Sequence, residues 1–378
     1  MTYKILTILL WTIPFVVVRS DWECFRGIKE SVFQIGAMLL LASSFFDTRV
    51  RTYKNKYLSY IICYIAFLFA RFYVMDYLWG GLPWRRMINV WTLIPIFNTI
   101  LGIIILKTII EYLRREHVIA LMRTICLVTV VISFHLIFQK LGLFQIYGHE
   151  DFTKGGSWVA QNRVIAFLGN PMVAGSFVSI AAQFNLFFDE KKHYLAYILA
   201  FVAIACTTTT SPMIAFLSCS VLYTWFKNRK LSYCIIGGTV AVVSYLVFHF
   251  QEYFSFNDRL EVWGKTIEMW QAKPYTGLGL GNFRIHNLLV KTTNWWQVHS
   301  EPLQILHEMG IIGLGLVGML VWNFFRTLTK HKNVYVCALV VLAGIINCFM
   351  SFPLHLASVV YLIILGFGFT EIFNKEEL

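Results

Sequence analysis

Apolar runs long enough to cross a bilayer recur along the whole of this 378-residue chain. A spanning helix needs about 17–25 predominantly apolar residues. Runs of that order fall near 31–46, 57–75, 90–110, 118–138, 164–188, 211–226, 231–250, 301–325, 334–350 and 354–373. Two shorter runs, 5–18 and 194–206, have polar flanks and bring the expected number of spans to about twelve. Several are under length, which points to tilt, re-entry or one miscounted pair. Only 14% of residues are charged, against about 25% in soluble domains, and the mean hydropathy is +0.64. These values predict an all-α integral membrane protein, with residues 1–378 forming a single polytopic domain.

Charge orients the spans, because cytoplasmic turns are enriched in Lys and Arg. With the N-terminus inside, the inner turns carry Arg49, Arg51, Lys54 and Lys56, then Arg114 and Arg115, Lys191 and Lys192, Lys227, Arg229 and Lys230, and finally Arg326, Lys330 and Lys332. Every inner turn is basic and the alternation holds along the chain. The outer side nevertheless holds thirteen cations, among them Lys29, Arg163, Arg259, Lys265 and Arg284. Topology gains nothing from these, so they call for an anionic ligand on the outer face or contact with lipid headgroups. The net charge of +12 is not a nucleic-acid signal, since no basic helix, finger or RNA-binding motif accompanies it. The eight cysteines lie almost all within apolar runs and read as small core residues, with neither a disulfide framework nor a zinc spacing. Residues 5–18 lack a small-residue cleavage site and read as an uncleaved first span.

One outer segment, 251–300, is long and polar where every other is shorter. In it, Leu260, Trp263, Ile267 and Trp270 recur at spacings of 3, 4 and 3, which predicts a helix lying at headgroup level with these residues on its buried face. Arg259, Glu261, Lys265 and Glu268 take the opposite side, Glu261 and Lys265 form a favourable i,i+4 pair, and Asn257 or Asp258 is placed to cap the helix. Lys273–Pro274 ends it. Gly277, Gly279 and Gly281 then predict a turn whose backbone can approach a ligand; the spacing is not that of a dinucleotide fingerprint.

Each polar residue here has a functional and a structural reading. Arg259 is either a bidentate phosphate clamp or a snorkelling surface arginine. His299, at the mouth of the span that begins near Glu301, is either a base for a sugar hydroxyl or an interfacial histidine. Glu301 is placed to orient it. Glu308 lies deeper in the same span, where ionisable groups are costly and face a cavity or a partner. His307 reads as a hydrogen-bond partner for a neighbouring helix. Gly310, Gly313, Gly315 and Gly318 read as close helix packing. Upstream, Asn170–Pro171 starts or breaks a helix at the outer surface, with Arg163 before it, and 207–212 (TTTTSP) forms a polar outer turn.

Taken together, Arg259 and Trp263, then Pro274, Gly277, Gly279 and Phe283, then His299, Ser300, Leu303, Glu308, Gly310 and Gly313, with Gly169–Asn170–Pro171 upstream, resemble the O-antigen ligase and O-antigen polymerase superfamily. The resemblance covers residues 160–320 directly. It implies a glycosyltransferase C-like membrane fold of about twelve helices with 251–300 as an elaborated periplasmic loop, in the inner membrane of a bacterium. It further implies a donor glycan on undecaprenyl diphosphate and, for a ligase, the lipid A core as acceptor; a polymerase would use a second lipid-linked glycan. Inverting, metal-independent transfer is implied, with no cofactor. In that scheme His299 is the base, Arg259 and Glu308 complete the catalytic set, and Arg163, Arg284, Glu301, Lys265, Gly279 and Trp263 contact substrate. The family often has Ser-Arg where this chain reads Ser211–Pro212, so either Arg163, Arg284 or Arg85/Arg86 takes that contact or the donor contact differs. A lipid-linked glycan transporter or flippase is the competing class. Internal repeats are its usual mark, and none is seen here.

Overall fold

The computed structural model describes residues 2–16, 26–46, 85–143, 164–238, 256–281, 283, 297–329 and 331–376. The expected span at 57–75 lies outside these residues, as does most of the one at 231–250. Among the described residues the fold is helical throughout, with no strand. Its helices are α1 (Thr2–Thr12), α2 (Arg26–Phe46), α3 (Arg85–Tyr112), α4 (Arg115–Lys140), α5 (Pro171–Ala181), α6 (Lys191–Thr207), α7 (Thr210–Lys227), α8 (Phe256–Trp270), α9 (Glu301–Arg326), α10 (Lys332–Met350) and α11 (Ala357–Glu376), and residues 229–238 are also helical. Four helices are long and apolar enough to cross a membrane: Arg115–Lys140, Glu301–Arg326, Lys332–Met350 and Ala357–Lys375.

The centre of the bundle is α5, short and almost wholly buried, with Met172 its one partly exposed residue. Its start follows from local chemistry. The Asn170 side chain accepts the Met172 backbone N–H at 2.8 Å, and Pro171 occupies the first turn, where a missing N–H costs nothing. A 3-10 turn, Ala182–Phe187, continues α5. Around α5 pack α6, α7, α10 and α11; α3 closes on α2 and α11, and α4 lies against α6.

Contacts between helix ends sort the bundle into two opposite poles, and the sorting follows the charge alternation. At one pole Asp189 takes both Lys332 and Lys227, and the Lys332 ammonium beside it holds the carboxyl below the usual carboxylate range. The Tyr3 and His117 rings lie 5.3 Å apart at this pole, and Asn374 ties the 327–329 turn at 2.9 Å through both its amide atoms. At the other pole the Gln139 Oε1 accepts the N–H groups of Ile165 and Ala166, linking the end of α4 to the approach to α5.

Lys29 belongs to this second pole, and it is no ligand-seeking cation. It is buried and donates to the carbonyls of Pro14, Val16 and Phe167 at 2.8–3.1 Å. A buried ammonium keeps its charge when oxygen acceptors surround it.

Just inside the same pole, Asn347 joins three helices. Its Oδ1 accepts the Ser176 and Ser211 hydroxyls at 3.0 and 3.2 Å, and its Nδ2 donates to Ser179 and to the Ala343 carbonyl. Ser211, where the family often continues to Arg, is thereby committed to helix packing, and Pro212 lies where a Cβ on Gly175 would come within 2.8 Å of its ring. The cysteines match their sequence reading in part: Cys126, Cys219 and Cys337 are buried, and Cys234 is exposed. Asn347→Ala strands the buried Ser176 hydroxyl and leaves Ser211 only its bond to the 347 backbone carbonyl, and we expect it to cost about 1–3 kcal/mol. The measurement is the thermal midpoint of the detergent-solubilised protein, with the exposed Cys234→Ser change, expected within about 0.5 kcal/mol of wild type, as control.

Candidate active site

The predicted interfacial helix exists as α8, but its faces differ from those the spacing suggests. It begins at Phe256, so Asn257 and Asp258 lie inside its first turn, not ahead of it. Val262 and Thr266 are its most buried residues, whereas Leu260 and Ile267 are 49% and 39% exposed. The side that packs on α9 therefore includes Arg259, Val262, Trp263 and Thr266, and the apolar Leu260 and Ile267 face outward. The physical reason is the surroundings: a helix bounded by lipid can turn its apolar stripe away from the protein and its polar stripe into a site. Glu261 and Lys265 do pair along the helix, on its more exposed side. Val262 forms a small core with Phe283 and Val298, and Trp263 and Leu303 pack against it.

Helix α9 is broken at Gly310, with φ 68° and ψ −169°. An unbroken helix would bond the N–H of 311 to the carbonyl of 307, and that of 312 to 308. The loop after α8 replaces both. Ile311 and Ile312 donate to the carbonyls of Pro274 and Tyr275 at 3.0 and 3.3 Å, and the released carbonyls of His307 and Glu308 accept from Leu278 and Gly279 at 2.7 and 3.0 Å. The two backbones cross where a side chain has no room. A Cβ on Gly310 would lie 2.2 Å from the Tyr275 oxygen, and one on Gly277 would lie 2.4 Å from the Glu308 carbonyl carbon. Both glycines also have positive φ. Gly310 is thus a break and not the packing residue its spacing suggests, and the N–H of Gly279 faces Glu308 instead of a ligand.

This joint sets the surroundings of His299. Trp270 donates its indole N–H to the Pro274 carbonyl at 2.9 Å, closing the loop on α8. The Trp263 indole donates to the Val298 carbonyl at 3.0 Å, so Trp263 holds the residue before His299. His299 itself has φ 56°, left-handed and uncommon for a side chain of this size, a form of strain that clusters at functional sites. Burial, and after it the positive Arg259 guanidinium, push its imidazole down to about 3 from an ordinary 6.5. That arginine also donates from Nη1 to the Met350 carbonyl at the end of α10, at 3.1 Å.

A third wall comes from the turn between α10 and α11. The Phe352 ring meets the His299 ring edge-on at 4.8 Å and 83°. Glu301, buried, accepts the Leu354 N–H at 2.8 Å through Oε1, and its Oε2 lies 3.4 Å from His355 Nε2. Glu308, two residues before the break, accepts from Gln304 Nε2 at 3.1 Å and from the Gly281 backbone. His307 is fully buried, with its ring edge-on to Phe283 at 5.4 Å. Of the sequence-predicted site residues, His299, Arg259, Glu301, Glu308, Trp263, Gly279 and Lys265 are described; Arg163 and Arg284 lie outside the described residues. The segment 350–355 was missed. Its one signal in the sequence is Pro353 beside a histidine between two apolar spans.

Residues 195–318 match a family model described as O-Antigen ligase. The matched segment contains α8, both halves of the joint and His299. No curated protein matches the chain at a significant level. Because Gly310 combines positive φ with a backbone contact, Gly310→Ala is expected to lower the thermal midpoint and activity together, by about 2 kcal/mol or more. Gly315→Ala, five residues on and facing open space, tests this as a control expected near neutral in the same melt.

Proposed function

We propose that this chain, which resembles the O-antigen ligase and polymerase superfamily and whose residues 195–318 match an O-Antigen ligase model, transfers a glycan from undecaprenyl diphosphate to a sugar hydroxyl of the lipid A core. Transfer takes place at the periplasmic face of a bacterial inner membrane. The observation that carries the reading is the convergence of Arg259 from α8, and of His299 and Glu301 from the start of α9, on the 350–355 turn at one pole of a membrane-type helix bundle.

His299 is kept neutral, and a neutral imidazole is the form that accepts a proton. In the proposed step it takes the proton of the acceptor hydroxyl as that oxygen attacks the anomeric carbon from the face opposite the leaving group. The bond from the anomeric carbon to the diphosphate oxygen breaks, and the electron pair leaves with undecaprenyl diphosphate. Arg259 offsets the charge that builds there, a task for which a guanidinium fixed before the reaction is suited. In this reading Arg163, Arg284 and Lys265 are the further residues that contact the donor, as the resemblance implies. Glu308, next to the break in α9, supports the catalytic end of that helix. The imidazolium then returns its proton to water or to the departing diphosphate. Arginine takes the role that a divalent cation plays in other glycosyltransferases, so chelation is expected to leave turnover unchanged.

A deletion strain rescued with wild type or His299→Asn tests the assignment. Asparagine tolerates the left-handed backbone, so the variant is expected to fold and to be inactive. Uncapped lipid A core with accumulating lipid-linked polymer is the expected gel pattern; core bearing a single repeat unit would make the protein a polymerase, and full rescue by His299→Asn would overturn the role of the imidazole.

The pH dependence follows from burial. With the folded imidazole near 3, kcat/KM of the free enzyme should show no acid limb from His299 between pH 7 and 5. The unfolded chain binds this proton below about 6.5 and the folded chain does not, so the contribution of His299 lowers stability progressively as pH falls from about 6.5. His299→Asn should flatten that part of the thermal midpoint profile.

A further inference from the structure

The imidazole of His299, just ahead of α9, meets groups from two other segments. The residue precedes the helix, and Ser300 at the N-cap makes no side-chain capping bond. Its backbone is left-handed, a conformation that persists only where the surroundings impose it. On the α8 side the imposed contact is Trp263 to the Val298 carbonyl. On the ring itself it is the edge of Phe352, at a separation and angle typical of aromatic pairs.

Phe352 lies in a short turn whose position Glu301 determines. One oxygen of the carboxylate receives the Leu354 N–H, and the other faces His355 Nε2 at 3.4 Å. The carboxylate is 4% exposed, so both oxygens are occupied by the turn within a nearly dry enclosure. Leu354 points outward, 45% exposed, which leaves the backbone N–H and His355 as the gripped features. Arg259 holds the same segment from the opposite side, through the Met350 carbonyl.

We propose that Glu301 is a positioning residue, and not a substrate ligand: with His355 it clasps the 352–355 turn onto the start of α9, and the turn in its place fixes the His299 imidazole through Phe352. The inference deepens the assignment of His299 as base and rests on it. Its consequence is that residues at the α10–α11 turn, more than fifty positions from the histidine, control the rate of the chemical step and leave donor binding alone. A misplacement of about 1 Å at a reacting group can cost on the order of 100-fold in rate.

The test uses the full-length protein in vesicles containing lipid A core and an undecaprenyl-diphosphate-linked glycan, with release of undecaprenyl diphosphate as the readout. Glu301→Ala and Phe352→Leu are expected to lower kcat about tenfold or more with donor KM within about twofold. Glu301→Gln keeps an oxygen for the Leu354 N–H and should recover kcat to within about threefold of wild type. Wild-type kcat in both Glu301→Ala and Phe352→Leu would overturn the clasp, and so would a raised donor KM at unchanged kcat. Phe352→Leu keeps an apolar side chain of similar bulk, so it decides the matter if Glu301→Ala does not fold. His299→Asn runs alongside. If it is inactive while the clasp variants behave as wild type, the clasp alone fails; if it is active, the base assignment fails and the clasp with it.

Discussion

The joint at Gly310 is the constraint on which the catalytic end of the molecule depends. In a bilayer each unsatisfied backbone group costs several kcal/mol, so a spanning helix can break only where other backbone takes over its bonds. Here the loop 274–279 supplies two carbonyls and two N–H groups in the register that the break requires. The exchange is reciprocal, so neither segment keeps its shape without the other. It also joins α8 to α9 rigidly, and with α8 come Arg259 and Trp263, the two residues that approach His299 from that side.

Much of the helical framework was legible in the sequence. Asn170–Pro171 predicted a helix start and forms one, the threonine run 207–210 makes the tight turn expected of it with Thr208 left-handed, and the Glu261–Lys265 pair is present. These are local features, set by residues within a few positions of each other. Basic turns gather at one pole for the same kind of reason: the bias of charge is written residue by residue along the chain.

What the sequence concealed depends on partners far away in the chain. Gly310 looked like Gly313, Gly315 and Gly318, and only the approach of Tyr275 and Gly277 sets it apart. The apolar period of α8 shows which residues share a face but not which face meets the protein: Arg259 reaches inward to the Met350 carbonyl and Leu260 faces outward. Lys29 looked like one more outer cation because its three carbonyl acceptors have no signature in a side-chain pattern. The wall at 350–355 was hidden likewise: Met350 contributes a carbonyl and Leu354 an N–H, and backbone groups do not show in composition.

Lys29 also bears on how the protein is made. Two of its acceptors, Pro14 and Val16, precede it closely, but the third, Phe167, is 138 residues further on. At ordinary rates of translation that interval is on the order of ten seconds. During it, the ammonium lacks its full cage. The third bond of Lys29 therefore cannot close before the segment leading into α5 has been synthesised, so the seating of this ammonium is completed long after the residue itself is made.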